Sequence, residues 1–280
     1  MMLWALATAD AYCAGFRYVK ASFLHQFNTG DGYVQHPEEN SPPGHYTGDT
    51  QMSLAIAEAL TAGDDWTPQN LARRFVGVFK RDPRKSYNKH YYKFLMKAES
   101  ESDFLQRINT YNDNSAAAVR AIPIGALSDT KEVMEKAAIQ AMVTHHTTDG
   151  ITTATAAALI VHYFAHRRGD KKNLVDFLNE SVPGDWQTPW ANPVGPKGTM
   201  ALRAAITALG RNDSLKELLV DCASFGGQTG AAAAIACAAA VHCLEIKQDW
   251  PKAFSEDLEN GRYGKDYILG LDEKFKRLER

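Results

Sequence analysis

The chain has 280 residues, of which 45% are hydrophobic and 23% are charged, and its formal net charge is −2. A chain of this length can bury one sizeable core, and its nearly balanced charge gives no electrostatic footprint for nucleic acid or an anionic membrane. We expect a single domain over residues 1–280, because the sequence shows no repeat and no linker. We expect it in the cytoplasm, because no basic region precedes the apolar N-terminal stretch, which argues against a signal peptide, and because the four cysteines fit reduced, buried thiols.

The predicted elements are helices along nearly the whole chain, with almost no strand pattern. Apolar periodicity and helix-end residues place them at 2–17, 50–62, 67–80, 116–125, 130–143, 150–166, 173–179, 199–209, 214–224, 230–246 and 266–280. The helices at 150–166 and 230–246 are rich in alanine and apolar on nearly every face, which places them at the centre. The sequence therefore predicts an all-α fold.

Two long segments rich in proline, glycine and asparagine interrupt the helices, at 28–46 and 182–198. Loops of this length are frequently functional, and we expect the two to frame a cleft. Trp186 and Trp190, in the second loop, have two interpretations: stacking on the base of a ligand, or packing on the domain surface.

The stretch GHYTGDTQMSLAIAEAL, residues 44–60, runs from a hydroxyl-rich turn with one carboxylate into an apolar helix. Thr47, Asp49 and Thr50 lie at the mouth of that helix. They fit a polar site there, and they also fit local capping, because hydroxyls and carboxylates satisfy the free N–H groups of a helix start.

This stretch resembles the Y-T-D-D-T-Q-M motif of the ADP-ribosylglycohydrolase family, and five further stretches resemble that family in the same order. They are ADAYCAGF (9–16), NDNSAAAVRAIPIG (112–125), VTHH (143–146), FGGQTGAAAAIACAAA (225–240) and LENGRYGKDYILGLD (258–272). The resemblance implies a single-domain helical bundle with a central cleft. In the family that cleft holds two Mg²⁺ or Mn²⁺ ions, bound by the T-D-D triplet and by a D-x-D-T group.

The sequence departs from the family at the positions that the resemblance assigns to the metals. Glycine replaces the first aspartate of the triplet at Gly48, and the second group reads Gln228, Thr229, Gly230 and Ala231. We therefore expect a degenerate metal site with no resident cofactor, where Asp49 binds Mg²⁺ or Mn²⁺ weakly at most. Arg17 replaces the family's glutamate at the reacting ribose, and a guanidinium stays protonated, so it cannot act as a general base.

The candidate site residues form two groups. The catalytic candidates are Asp10, Arg17, Asp49 and His145, and the ligand-binding candidates are Thr47, Thr50, Asn112, Asn114, Ser115, Gly226, Gly227 and Gln228. Some have a second interpretation: the asparagines and Ser115 also suit capping of the next helix, and His145 with His146 also suits a helix C-terminus. Arg17 is either the partner of a phosphate or carboxylate, or an exposed helix residue.

These features predict a pseudoenzyme that binds ADP-ribose, a nucleotide or a related anionic ribosyl molecule without metal-dependent hydrolysis. The alternatives are an enzyme with metal-free chemistry on a ribosyl or other small polar substrate, a residual ADP-ribosyl hydrolase that cleaves an N-glycosyl bond, and a purely structural role. Neither nucleic acid nor a membrane is an expected partner.

Overall fold

Helices account for the regular structure of residues 1–276, the part of the chain that the computed structural model describes. The α-helices are Met2–Ala14 (α1), Ala21–Phe27 (α2), Gly48–Ala62 (α3), Pro68–Arg81 (α4), Lys89–Lys97 (α5), Glu101–Arg107 (α6), Ala116–Ala121 (α7), Thr130–Met142 (α8), Thr148–Ala165 (α9), Leu174–Ser181 (α10), Gly198–Arg211 (α11), Leu215–Ser224 (α12), Gly230–Ala240 (α13), Lys252–Glu256 (α14) and Lys265–Phe275 (α15). Short 3₁₀ helices lie at Ile122–Ala126 and Lys171–Asn173. Within the described range, strand-like pairing is limited to three isolated bridges. The predicted all-α fold is confirmed.

The core of the molecule is built around α1, α9 and α13. Every residue of α13 from Ala231 to Ala240 is buried, and α13 packs on α1, α9, α11 and α12. Its alanine side chains allow the neighbouring helices to approach closely, and a helix that is apolar on all sides is stable only inside such a bundle. The central position expected for the two alanine-rich helices is therefore correct.

Several helix ends differ from the sequence prediction. α1 ends at Ala14 instead of 17, and Gly15 then passes so close to the loop that an added Cβ would lie 2.4 Å from Val34 O. The predicted helix 116–125 is α7 followed by 3₁₀ turns, because Pro123 lacks an N–H for the α-helical ladder. α13 ends at Ala240 instead of 246, and His242 N donates to Ala239 O in a tighter turn.

Four short helices, α2, α5, α6 and α14, were absent from the sequence prediction. They bury little: α5 and α6 each contribute one buried residue, Leu95 and Phe104. A segment with one core contact carries almost no apolar periodicity, so its pattern is weak. The last predicted helix runs to 280, and its final four residues lie outside the described range.

The second long loop is tied to the starts of two helices by backbone pairing. Val194 pairs with Gly227, and Lys197 pairs with Asn114, so the second loop joins the start of α13 to the start of α7. None of the helices in residues 1–276 has the length and apolar character needed to cross a bilayer.

Candidate functional site

The start of α3 is held against α1 by the carboxylate of Asp10. This buried side chain accepts hydrogen bonds from the backbone N–H and hydroxyl of Thr47, both at 2.8 Å, and from the hydroxyl of Thr50 at 2.5 Å. Burial raises the pKa of Asp10, against the effect of these donors. Its side-chain hydrogen bonds within residues 1–276 go to Thr50 in α3 and to Thr47, which caps it, so Asp10 positions the mouth of α3.

Thr47 and Thr50 differ in their local roles. Thr47 caps α3, because its hydroxyl oxygen accepts a hydrogen bond from Asp49 N at 3.1 Å while it donates to Asp10. Thr50 lies inside the first turn and uses its hydroxyl for Asp10 alone. Both hydroxyl protons are therefore committed within the protein.

Asp49 is the carboxylate of the site that has no hydrogen bond or ion pair to any residue in 1–276. It is half-buried at the first turn of α3. The pKa of Asp49 is raised to about 7, mainly by burial and also by the neighbouring Asp10, while Arg17 acts in the opposite direction. A carboxyl with this pKa exchanges a proton near neutral pH, and when ionised it offers free acceptor oxygens.

Gly48 lies under the ring of Tyr87. A Cβ added to Gly48 would sit 2.4 Å from Tyr87 Cε1, and Gly48 N donates to Ser86 Oγ at 2.8 Å. The loop between α4 and α5 therefore covers the start of α3 at Gly48. The sequence analysis missed Tyr87, and the glycine in a polar motif was the one available signal.

The start of α13 faces the start of α3 across α1. A Cβ on Gly230 would lie 3.7 Å from Asp10 Oδ1, which brings the segment 226–230 to the same region. Gly226 and Gly227 have φ of 71° and 80°, and Gly227 packs against the backbone of Val194. These two glycines are required by the backbone conformation.

Gln228 and Tyr18 meet at the edge of this region. The Tyr18 hydroxyl donates to Gln228 Oε1 at 3.2 Å, and Tyr18 N donates to Gly227 O at 2.9 Å. Tyr18 is 63% exposed and has a φ of 54°, which is uncommon for a residue with a side chain. Sequence reasoning did not select Tyr18, although an aromatic residue directly after Arg17 was a signal for it.

Arg17 forms an ion pair with Glu39 from the first long loop. Its Nη2 lies 2.6 Å and its Nε 3.2 Å from Glu39 Oε1, and its side chain is 36% exposed. The carboxylate partner anticipated for Arg17 is thus Glu39, and neither Asp10 nor Asp49 is in contact with it. Its charge still reaches Asp49, since it lowers the pKa of that carboxyl.

His145 is buried and uses both ring nitrogens inside the protein. Nδ1 lies 2.7 Å from Thr144 Oγ1, and Nε2 lies 2.8 Å from Asn114 Oδ1. Burial and the positive charge of Arg120 lower the pKa of His145 to about 3, so its imidazole is neutral at physiological pH. With both nitrogens engaged, His145 orients Asn114.

The polar residues before α7 make local contacts. Asn114 Oδ1 also accepts from Ala116 N at 2.9 Å, and Asn112 Oδ1 accepts from Asn114 N at 3.1 Å. The N–H of Ser115 donates to Pro196 O, so this hydrogen bond joins the segment before α7 to the second long loop. Trp186 in that loop is buried and donates to Val182 O, which agrees with the packing interpretation.

The side chains around Asp49 set what the site can hold. Across residues 1–276, no three His, Cys, Asp or Glu side chains converge in a way that could bind a metal ion. Asp10 acts on Asp49 electrostatically, and its carboxylate already accepts from Thr47 and Thr50, while Gln228 Oε1 accepts from Tyr18. The arrangement offers one free carboxylate and one half-exposed guanidinium.

Comparison with known proteins places this geometry in context. The sequence matches the model of the family described as ADP-ribosylglycohydrolase over residues 1–278. ADP-ribosylhydrolase ARH3 of Homo sapiens is 24% identical over 235 residues, which cover 75% of this chain and 62% of the relative. ARH3 of Gallus gallus is 28% identical over 126 residues, covering 42% of this chain and 34% of that protein.

These matches span less than two thirds of either relative's length. A solved structure described as an ADP-ribosylglycohydrolase-related protein complex superposes with a TM-score of 0.77 and 17% identity, covering 100% of this chain and 96% of that chain. At this identity the similarity shows the fold.

Proposed function

The chain belongs to the ADP-ribosylglycohydrolase family, and from this premise we propose that it is a divergent member that binds without family-type hydrolysis. Its ligand is ADP-ribose, a nucleotide or a related anionic ribosyl molecule. The proposal depends on two features that occur together. The Asp49 carboxylate has no hydrogen-bond partner within residues 1–276, and the Tyr87 ring fills the space beside Gly48. A cytoplasmic location remains an expectation.

The donor set does not fit the two metal ions that the family resemblance implies. Hard divalent cations require several oxygen ligands, most of them anionic or carbonyl groups. Of the positions that the resemblance assigns to those ligands, Thr47 and Asp49 are kept. Gly48, Gln228, Gly230 and Ala231 supply no carboxylate. Asp49 alone binds Mg²⁺ or Mn²⁺ weakly at most, and no step of the proposed function requires a metal.

Two groups supply recognition of an anionic ribosyl ligand. Arg17 is half-exposed and its N–H groups point to a carboxylate of a surface loop, so a phosphate is able to compete with Glu39 for paired N–H bonds. Asp49, when ionised, accepts hydrogen bonds from sugar hydroxyls. Opposite charges at one site suit a molecule with a diphosphate and a diol.

The proposal is tested by ADP-ribose binding and by turnover, measured on the same preparation. We expect wild-type protein to bind ADP-ribose and to release none from an ADP-ribosylated protein in the presence of millimolar Mg²⁺. Arg17→Ala should weaken binding by about tenfold, the loss of roughly one charge-assisted hydrogen bond. The control is Arg73→Ala, on the exposed face of α4. Metal-dependent release, or equal affinities of wild type and Arg17→Ala, contradicts the proposal.

A second candidate function is metal-free cleavage of an N-glycosyl bond. It is favoured by one observation, the pKa of about 7 for Asp49, because a group with this pKa is suited to take up or release a proton near neutral pH. Release of ADP-ribose in EDTA that Asp49→Asn abolishes would favour this function over simple binding.

A further inference from the structure

Gly48 and Tyr87 are sterically interdependent. A Cβ built on Gly48 would lie 2.4, 2.6 and 2.7 Å from Cε1, Cζ and Cδ1 of Tyr87. These distances are far below normal carbon–carbon contact, so a side chain at position 48 and the ring of Tyr87 cannot share this space. The aromatic ring therefore occupies the volume that the family's first aspartate of the triplet would need.

The ring is held in place by contacts on two sides. The Tyr87 hydroxyl donates to Gln51 Oε1 at 2.8 Å, and Gln51 Nε2 donates in turn to Asp82 O at 2.6 Å. The ring also makes edge-to-face contacts with Phe79 and Tyr91, each with centroids 5.7 Å apart. Aromatic pairs in this geometry add to the stability of the packing.

The loop that carries Tyr87 is anchored independently of the ring. Arg84 forms ion pairs with Asp82 and Glu259, and its guanidinium lies 3.5 Å from the centroid of the Tyr46 ring. We call residues 82–88 the tyrosine plug. The ion pairs of Arg84 hold the loop, and the hydrogen bond to Gln51 and the aromatic contacts hold the ring, so the position of the plug is fixed by the fold.

The Tyr87 side chain supplies no anionic oxygen for a divalent cation. Burial raises the pKa of Tyr87 well above its ordinary value, and the nearby Tyr91 and Asp49 add to that effect. The phenol therefore stays protonated, and its proton is already directed to Gln51. A neutral ring and a committed hydroxyl take the place of a carboxylate.

We infer that the tyrosine plug is a specificity-determining element: it closes the α3 end of the site to a divalent cation and leaves Asp49 free for a ligand with hydrogen-bond donors. The inference rests on the proposed metal-free function, but it does not depend on the identity of the ligand. It predicts that adding an aspartate at position 48 creates a cation site only after the ring has been removed.

The experiment measures Mn²⁺ binding to purified variants by electron paramagnetic resonance of the free ion. The set is wild type, Gly48→Asp, Tyr87→Ala, and Gly48→Asp combined with either Tyr87→Ala or Tyr87→Phe. The combination with Tyr87→Phe is the matched control, because it removes the hydroxyl and keeps the ring. We expect the combination with Tyr87→Ala to bind Mn²⁺ at least about tenfold more tightly than wild type and than the control.

Two results would overturn the inference. One is Mn²⁺ binding by Gly48→Asp alone as tight as in the combination with Tyr87→Ala. The other is no gain in the combination with Tyr87→Ala over wild type. ADP-ribose titration of the wild type is a separate readout, so failure of the plug and failure of the proposed function are distinguishable.

If Gly48→Asp prevents folding, the smaller substitution Gly48→Ala tests the same contact in the wild-type and Tyr87→Ala backgrounds. Gly48→Ala should lower the melting temperature in the wild-type background and have a much smaller effect in the Tyr87→Ala background, because the clash is then absent. Equal effects in both backgrounds would show that the ring does not occupy this space, and the inference would fail.

Discussion

At the scale of single residues, the hydrogen bonds to Asp10 decide how the mouth of α3 is built. The two oxygens of its buried carboxylate accept hydrogen bonds from the N–H groups and hydroxyls of half-buried Thr47 and buried Thr50. Asp10, Thr47 and Thr50 were candidate site residues from the motifs, and in the structure they are joined by hydrogen bonds. Asp10 was expected as a catalytic group, and its hydrogen bonds position the start of α3.

Replacing Asp10 should therefore destabilise the fold. Asp10→Ala leaves the buried Thr50 hydroxyl, the half-buried Thr47 hydroxyl and two N–H groups without their acceptor, and we expect the free energy of unfolding to fall by about 3 kcal/mol. Asp10→Asn keeps one carbonyl acceptor and should cost clearly less. Urea unfolding at pH 7 measures both, and a loss below about 0.5 kcal/mol for Asp10→Ala would show that these bonds contribute little.

His145 should make the protein less stable in acid. Its pKa falls from 6.5 in the unfolded chain to about 3 in the fold, so between these values the unfolded chain holds a proton that the folded protein lacks. The stability that His145 contributes is complete above pH 6.5 and is lost as the pH falls towards 3.

The free energy of unfolding, measured with urea, is compared at pH 7.5 and pH 5.0. Between these values the free energy of unfolding of the wild type should fall by up to about 2 kcal/mol more than that of His145→Gln, which has no titrating ring. His146→Gln is the control, because His146 is exposed and should keep the pH dependence of the wild type. An identical loss for wild type and His145→Gln would contradict the assignment of a buried, neutral imidazole.

Among the helices, those with a long apolar pattern were predicted and those with few core contacts were not. α9 and α13 were recognisable because nearly all their residues are buried and apolar, while α5 buries only Leu95. Gly48 signalled that something packs there, but it could not identify Tyr87, because Tyr87 contacts Gly48 and Gln51 from 36 or more residues away in the sequence. Local patterns carry no information on such pairs.

The glycine turn before α13 gives a test at the scale of elements. Gly227 has a φ of 80°, and a Cβ there would lie 2.3 Å from Val194 O, so Gly227→Ala is both strained and blocked. We expect it to lower stability by about 2 kcal/mol or more and to loosen the second long loop.

Gly77→Ala in α4 is the matched control. No atom lies within 4 Å of the added Cβ, and alanine favours the helix interior, so stability should rise by about 0.5–1 kcal/mol. Thermal unfolding of both variants checks the pair. A tolerated Gly227→Ala would mean that the loop adjusts without cost, and that the second loop does not fix the start of α13.

For the whole molecule, the fold and the site lead to different expectations. The bundle is that of the ADP-ribosylglycohydrolase family. Four of the positions that the sequence resemblance assigns to metal ligands carry glycine, glutamine or alanine, and the structure presents Asp49 and Arg17. A family fold shows where a ligand binds more readily than which reaction follows, because chemistry depends on a few side chains. We therefore expect ligand binding to survive without metal.

The most direct measurement is calorimetric titration of the wild-type protein with ADP-ribose, once in EDTA and once in millimolar Mn²⁺. The account predicts binding in EDTA with an affinity that Mn²⁺ changes by less than about threefold, which is below 1 kcal/mol. Absence of binding in EDTA together with tight binding in Mn²⁺ would contradict it, because the metal would then be part of the site.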